Sequence, residues 1–183
     1  MTTLSLSRSR DARFVALGIV GFAIALAAAA QVSLPIPGTP VPFTLGPLVV
    51  VLAGMMLGPS AGAASMVLYL AAGAAGAPVF APGGAPGIAR FVGPTGGYLI
   101  AYPAAAFVAG WLAQRMPSLL GRWSAATIGI AVIFMGGIAQ LTILTGSVSR
   151  AVVLGVTPFA LLDVVKAFLA ALATGRRAPR TDG

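Results

Sequence analysis

The sequence predicts an all-α membrane protein, a bundle of six transmembrane helices with both termini in the cytoplasm. Three observations predict it. Of 183 residues, 58% are hydrophobic and 8% charged, whereas soluble domains carry roughly 25% charged residues. The apolar residues gather into six stretches, at 14–34, 44–57, 60–77, 95–113, 124–145 and 151–174, and a membrane-crossing helix needs roughly 20 apolar residues. The cations are also unevenly placed. Arg8, Arg10, Arg13, Arg115, Arg122, Arg176, Arg177 and Arg180 fall on one side of such a bundle, and only Arg90 and Arg150 on the other. Basic residues concentrate on the cytoplasmic side. The expected organisation is a basic tail at 1–13, a membrane domain at 14–174 and a basic tail at 175–183.

Composition excludes several classes. Eleven basic and three acidic side chains cannot cover a soluble globule of this size, and the mean hydropathy is +1.01. A soluble enzyme, a nucleic-acid-binding domain and a disordered segment are set aside on that ground. The isoelectric point near 11.6 is accounted for by basic ends meeting anionic lipid headgroups. There is no Cys and no His, which removes thiol catalysis, disulfides, His-based metal sites and Ser-His-Asp hydrolysis. No cofactor is expected.

The first stretch opens with arginines and ends in an alanine run, Ala27 to Ala30, which also fits a cleavable signal peptide. Its length favours a retained span. Gly21, Ala25 and Ala29 stand four apart on one face, with Ala23 and Ala27 on a neighbouring row. Small residues let helices approach closely in lipid, so this face packs within the bundle or docks a second membrane protein. Residues 34–47 contain five prolines, which forbid regular helix and favour extended backbone. Such an apolar segment is expected to fold back onto the bundle. Stretches two and three are separated by Gly58 and Pro59, a turn signal. A second Gly- and Pro-rich segment, 76–97, carries Phe80, Arg90 and Phe91. Both loops fall on the outer side, where they could form a lid. Ser60 and Thr95 each follow a Gly-Pro pair before an apolar run and are candidate N-caps.

The sixth stretch holds the chemistry. Asp163 and Lys166 are the only acid and the only lysine inside any span, and three residues apart they share a helix face. A charge at mid-membrane costs roughly 2.5–3.5 kcal/mol on insertion scales, and a structural ion pair gains little over apolar packing. The pair therefore points to a polar ligand or a coupling ion, against a purely structural pair. Pro158 should end or kink the helix near Thr157, leaving Asp163 one to two turns into a shortened helix. A fitting ligand offers N–H donors to Asp163, an anionic group to Lys166 or Arg90, and an apolar body between them. No carboxylate pair lies in the membrane and no nucleophile has a His base, so catalysis is not expected. Uphill transport would draw on an ion gradient through Asp163 or on a separate ATPase.

Four motifs occur in order: Pro35-Ile36-Pro37-Gly38-Thr39-Pro40-Val41-Pro42-Phe43-Thr44, the Tyr69–Ala81 run, Gly93-Pro94-Thr95-Gly96-Gly97-Tyr98-Leu99, and Pro158-Phe159 with Asp163-Val164-Val165-Lys166. Over residues 14–174 the chain closely resembles the BioY family, the biotin-capturing S components of energy-coupling factor (ECF) transporters. The resemblance implies a six-helix S-component bundle in the bacterial cytoplasmic membrane, binding biotin near its outer face. It also implies partners: a transmembrane coupling subunit and two cytoplasmic ATPases. It carries Asp163 over as a ligand of the ureido ring and Lys166 as a ligand near the carboxylate end. It likewise carries over Arg90 as the loop arginine, Phe43 and Thr44 in a gating loop, Tyr98 near the pocket, and Gly21, Ala25 and Ala29 as the docking face. An S component for another vitamin and an ion-coupled secondary carrier are the alternatives. One departure is that Gly46 and Pro47 stand where relatives commonly show Gln then Thr; Gln140 is a candidate substitute.

Overall fold

The protein is described here by a computed structural model covering the backbone of residues 3–175 and the side chains of residues 12–175. The side chains of residues 1–11 and all of residues 176–183 lie outside the described residues, so the expectations for Arg8, Arg10, Arg176, Arg177 and Arg180 fall there. Among the described residues, seven α-helices occupy the six expected stretches: α1 Thr3–Gln31, α2 Gly46–Leu57, α3 Pro59–Ala74, α4 Gly96–Arg115, α5 Leu119–Thr145, α6 Val148–Gly155 and α7 Ala160–Thr174. Three segments, Ala12–Gln31, α4 and α5, are long and apolar enough to cross a membrane, and α6 with α7 adds a fourth if that bent pair is one span.

The sixth stretch is broken by 57°. Pro158 lies in the break, as the missing N–H of proline requires. α2 and α3 are short, and they meet at Gly58, whose φ of +88° is accessible to glycine at no steric cost. Pro59 opens α3, where its fixed φ is already helical. Ser60 is therefore inside the helix and not its cap. Thr95 does occupy the cap position of α4, but with φ −94° and ψ −6° its side chain makes no capping bond; a capping side chain normally needs extended backbone. Ser118 and Ser147 meet that condition, and their hydroxyls accept from Gly121 N and Arg150 N.

The proline-rich segment folds back as expected. Ser33–Leu34 (β1) pairs antiparallel with Phe43–Thr44 (β2), with Ser33 opposite Thr44. The core is lined by Leu26, Val50, Met66, Tyr69, Ile133 and Leu141. Glycine sets how closely the helices approach. A methyl group on Gly54 of α2 would meet the backbone of Ala106 on α4. One on Gly97 of α4 would lie 2.6 Å from Gln140 Cβ on α5, and one on Gly136 would lie 2.7 Å from Ala101 Cβ. The outer surface carries exposed Phe14, Leu17, Ile24, Ile143 and Leu161, side chains suited to acyl chains rather than water.

Candidate functional site

The break at Pro158 places Asp163 in the first turn of α7 and Lys166 one turn further. Both are almost wholly buried, at 3% and 4% exposure. Lys166 Nζ lies 2.6 Å from Asp163 Oδ1. It also donates to the Thr44 carbonyl at 2.7 Å and sits 3.9 Å from the centroid of the Phe43 ring. The hairpin thus wraps the ammonium with one carbonyl and one aromatic face. Asp163 retains acceptor capacity, because a carboxylate has about four lone-pair sites and Lys166 takes one.

Arg90 comes from the other loop, on a short 3₁₀ turn at Gly87–Val92. It is 6% exposed, donates to the Ala81 carbonyl, and lies 5.9 Å from the Phe80 ring centroid. Gly84 leaves room for the guanidinium, which a Cβ there would overlap. Arg90 lies outside the spans, and burial pulls its pKa below the ordinary value, partly offset by Tyr69. Among the described residues it has no carboxylate partner. Gln140 donates from α5 to the carbonyls of Phe91 and Gly93, at 3.5 and 3.3 Å. It fastens the Arg90 loop and is not among the residues that line the cavity. Gly46 has a local reason: a Cβ there would sit 3.0 Å from the Tyr102 hydroxyl and 3.1 Å from Thr44 Oγ1.

All six pocket residues expected from the sequence, Asp163, Lys166, Arg90, Tyr98, Thr44 and Phe43, line one cavity of about 80 Å³. Tyr98 enters it from α4, its ring held against Gly137 and its hydroxyl donating to Gly155 O at 2.9 Å. Tyr102 and Tyr69 line the cavity as well; the sequence does not single out Tyr102, and it marks Tyr69 only as the first residue of the Tyr69–Ala81 motif. These rings stand 6.4 Å apart, and Tyr69 meets Phe80 edge-on at 5.5 Å. The available signal was the four-residue spacing of Tyr98 and Tyr102, which puts both on one helix face. A larger outer cavity of about 520 Å³ shares Arg90, Val41, Pro42 and Thr95 with the inner one. Gly21 and Ala25 are exposed and Ala29 is half-buried on the outer face of α1, away from the cavity. A methyl on Gly21 would meet nothing within 4 Å.

The sequence profile of the BioY family matches residues 2–181. The chain belongs to the BioY family. A BioY relative described as a probable biotin transporter, from Pyrococcus horikoshii, is 42% identical over 165 residues, covering 90% of this chain and 91% of its own. The biotin transporter BioY of Thermotoga maritima is 35% identical, with 87% and 88% covered. The BioY protein of Rhizobium etli is 34% identical, with 73% and 75% covered. The fold matches a crystal structure of the S-component for biotin from an ECF-type ABC transporter, with a TM-score of 0.82, 24% identity, and 96% of this chain and 93% of that one covered. Membership of BioY, together with several apolar helices, makes this a multi-pass membrane protein.

Proposed function

We propose that this chain is the biotin-binding substrate-capture subunit of an ECF-type ABC transporter and mediates biotin uptake across the bacterial cytoplasmic membrane. The observation that carries the reading is one cavity holding three buried charges in a particular division: a mutually paired Asp163 and Lys166, and an Arg90 that has no acidic partner among the described residues. Biotin has matching ends. Its ureido ring offers N–H donors and a carbonyl acceptor; its valerate tail ends in a carboxylate.

Lys166 and Asp163 are bonded to one another, so they serve the same end of an extended ligand. We assign the ureido N–H groups to Asp163 and the ureido carbonyl to Lys166. That differs from the expectation of Lys166 at the carboxylate end. The carboxylate is assigned to Arg90, whose fork matches it bidentately. Tyr69, Tyr98, Tyr102 and Phe159 provide the apolar wall, and Phe43 and Thr44 close over Lys166. Arg90→Ala is expected to weaken biotin binding at least about tenfold while changing the affinity for biotin methyl ester little. Equilibrium binding of both ligands to purified protein checks this, and an equal loss for both would place the carboxylate elsewhere.

The cavity lies at the α4 end marked by Tyr98, whereas Arg115 and Arg122 lie at the opposite end, with Arg122 Nε donating to Ala171 O at 3.1 Å. Under the positive-inside tendency, the cavity faces outward and both termini inward. We further infer that the outer face of α1 around Gly21, Ala25 and Ala29 docks the transmembrane coupling subunit, with two ATPases supplying the energy, and that this chain is not itself an enzyme. Proteoliposomes with the complete complex are expected to accumulate biotin only with ATP. Uptake by this chain alone, abolished by an uncoupler, would instead favour an ion-coupled carrier.

A further inference from the structure

A helix leaves its last carbonyls without partners, and at the end of α6 a proline makes that permanent. In an uninterrupted helix the N–H of residue 158 would bond the carbonyl four residues earlier. Residue 158 is proline, so Leu154 O has no such donor. Its partner comes from another part of the chain: Thr39 Oγ1 donates to Leu154 O at 2.6 Å. The hydroxyl is oriented for this, because its oxygen already accepts from Val41 N at 3.1 Å. The neighbouring carbonyl, Gly155 O, is taken by Tyr98.

Thr39 lies at the tip of the hairpin, in a turn where its N–H donates to Ile36 O at 3.3 Å. Thr44, at the hairpin base, accepts from Lys166. The segment between β1 and β2 is thus fastened at two points, one on each side of the 57° bend. The inner cavity, about 80 Å³, is smaller than the ~300 Å³ at the low end for ligand pockets. The hairpin borders both cavities through Val41 and Pro42, so its movement away from the bend would enlarge the inner one for a bicyclic ligand and its return would enclose it.

We propose that Thr39 is a positioning residue for ligand binding: its hydroxyl latches the hairpin tip to the carbonyl that Pro158 leaves free, so that hairpin closure and the aim of Asp163 and Lys166 are one transition. The latch is distinct from the ligand contacts, since Thr39 lines the outer cavity and not the inner one.

Two measurements test it. Stopped-flow dissociation of biotin is expected to be about fivefold faster in Thr39→Val, the size of one neutral hydrogen bond. Thr39→Ser, which keeps the hydroxyl, is expected to match the native protein. This arm rests on the biotin reading above. The second arm does not: in ligand-free protein, hydrogen–deuterium exchange is expected to rise in Thr39→Val over both 35–44 and 155–163, and not in Thr39→Ser. Pro158→Ala restores the missing N–H, so adding Thr39→Val to it should raise exchange no further. Equal dissociation rates for the Val and Ser variants, a rise confined to the hairpin, or an additive effect on top of Pro158→Ala would each overturn the latch. Native protein that fails to bind biotin would overturn the biotin reading, and the exchange data alone would then decide for or against the latch.

Discussion

Lys166→Ala is expected to weaken biotin binding by about two orders of magnitude, read by equilibrium binding to purified protein. Truncating one member of a buried, hydrogen-bonded charge pair costs about 3 kcal/mol, and each ~1.4 kcal/mol is a factor of ten. Three interactions disappear together: the bond to Asp163, the bond to Thr44 O and the contact with the Phe43 ring. Asp163 is then left buried without a counter-charge, so Lys166→Ala also destabilises the fold. The double variant Asp163→Leu/Lys166→Leu separates the two effects. Replacing both members of a buried pair by apolar residues is often neutral for stability. The double variant is therefore expected to remain folded while binding no biotin. A double variant that still binds biotin at native affinity would remove the pair from the site.

The largest effect on folding is expected at the α4–α5 contact. Gly97→Val places branched carbons against the Gly136 carbonyl and the Gln140 side chain, at the most extensive helix–helix contact in the bundle. Overpacking of this kind costs about 3 kcal/mol, which lowers the melting temperature by on the order of 10 °C in a chain of this size. Gly21→Val is the control. A Cβ there meets nothing within 4 Å among the described residues and Gly21 is exposed, so the variant's melting temperature should match that of the native protein. A Gly97→Val protein that melts with the native one would mean that α4 and α5 lie farther apart than described.

The sequence marks the candidate site through chemical cost. Asp163 and Lys166 were legible because charges are expensive in an apolar stretch, and Pro158 marked the break that places them near a helix start. Arg90 was legible as a cation in an otherwise apolar loop. The proposed division of labour among the three was not, because it depends on Asp163 and Lys166 being in contact while Arg90 approaches from another loop. Tyr102 was missed for a related reason. An aromatic residue in a membrane helix reads equally well as lipid-facing or cavity-lining until the neighbouring helices are placed. The cap expected at Ser60 failed because Pro59 itself begins the helix. Gln140 is conspicuous in the sequence as an amide in a span, but its partners are two loop carbonyls that only the fold brings within reach. Helix type and approximate extent were readable from composition. The partition of the second and third stretches into helices too short to cross followed only from the Gly58 turn.

That turn sets a length problem for the surrounding lipid. At ~1.5 Å per residue, the 12 residues of α2 and the 16 of α3 extend about 18 and 24 Å, against a hydrocarbon thickness of ~30 Å. α4 and α5, at 20 and 27 residues, match or exceed it. Where α2 and α3 meet lipid, the leaflets thin or flanking side chains reach out to the headgroups, whereas beside the apolar lengths of α4 and α5 the bilayer keeps about its ordinary thickness. The protein thus imposes an uneven annulus of lipid on its membrane, a local deformation to which acyl-chain length in a reconstituted bilayer directly couples.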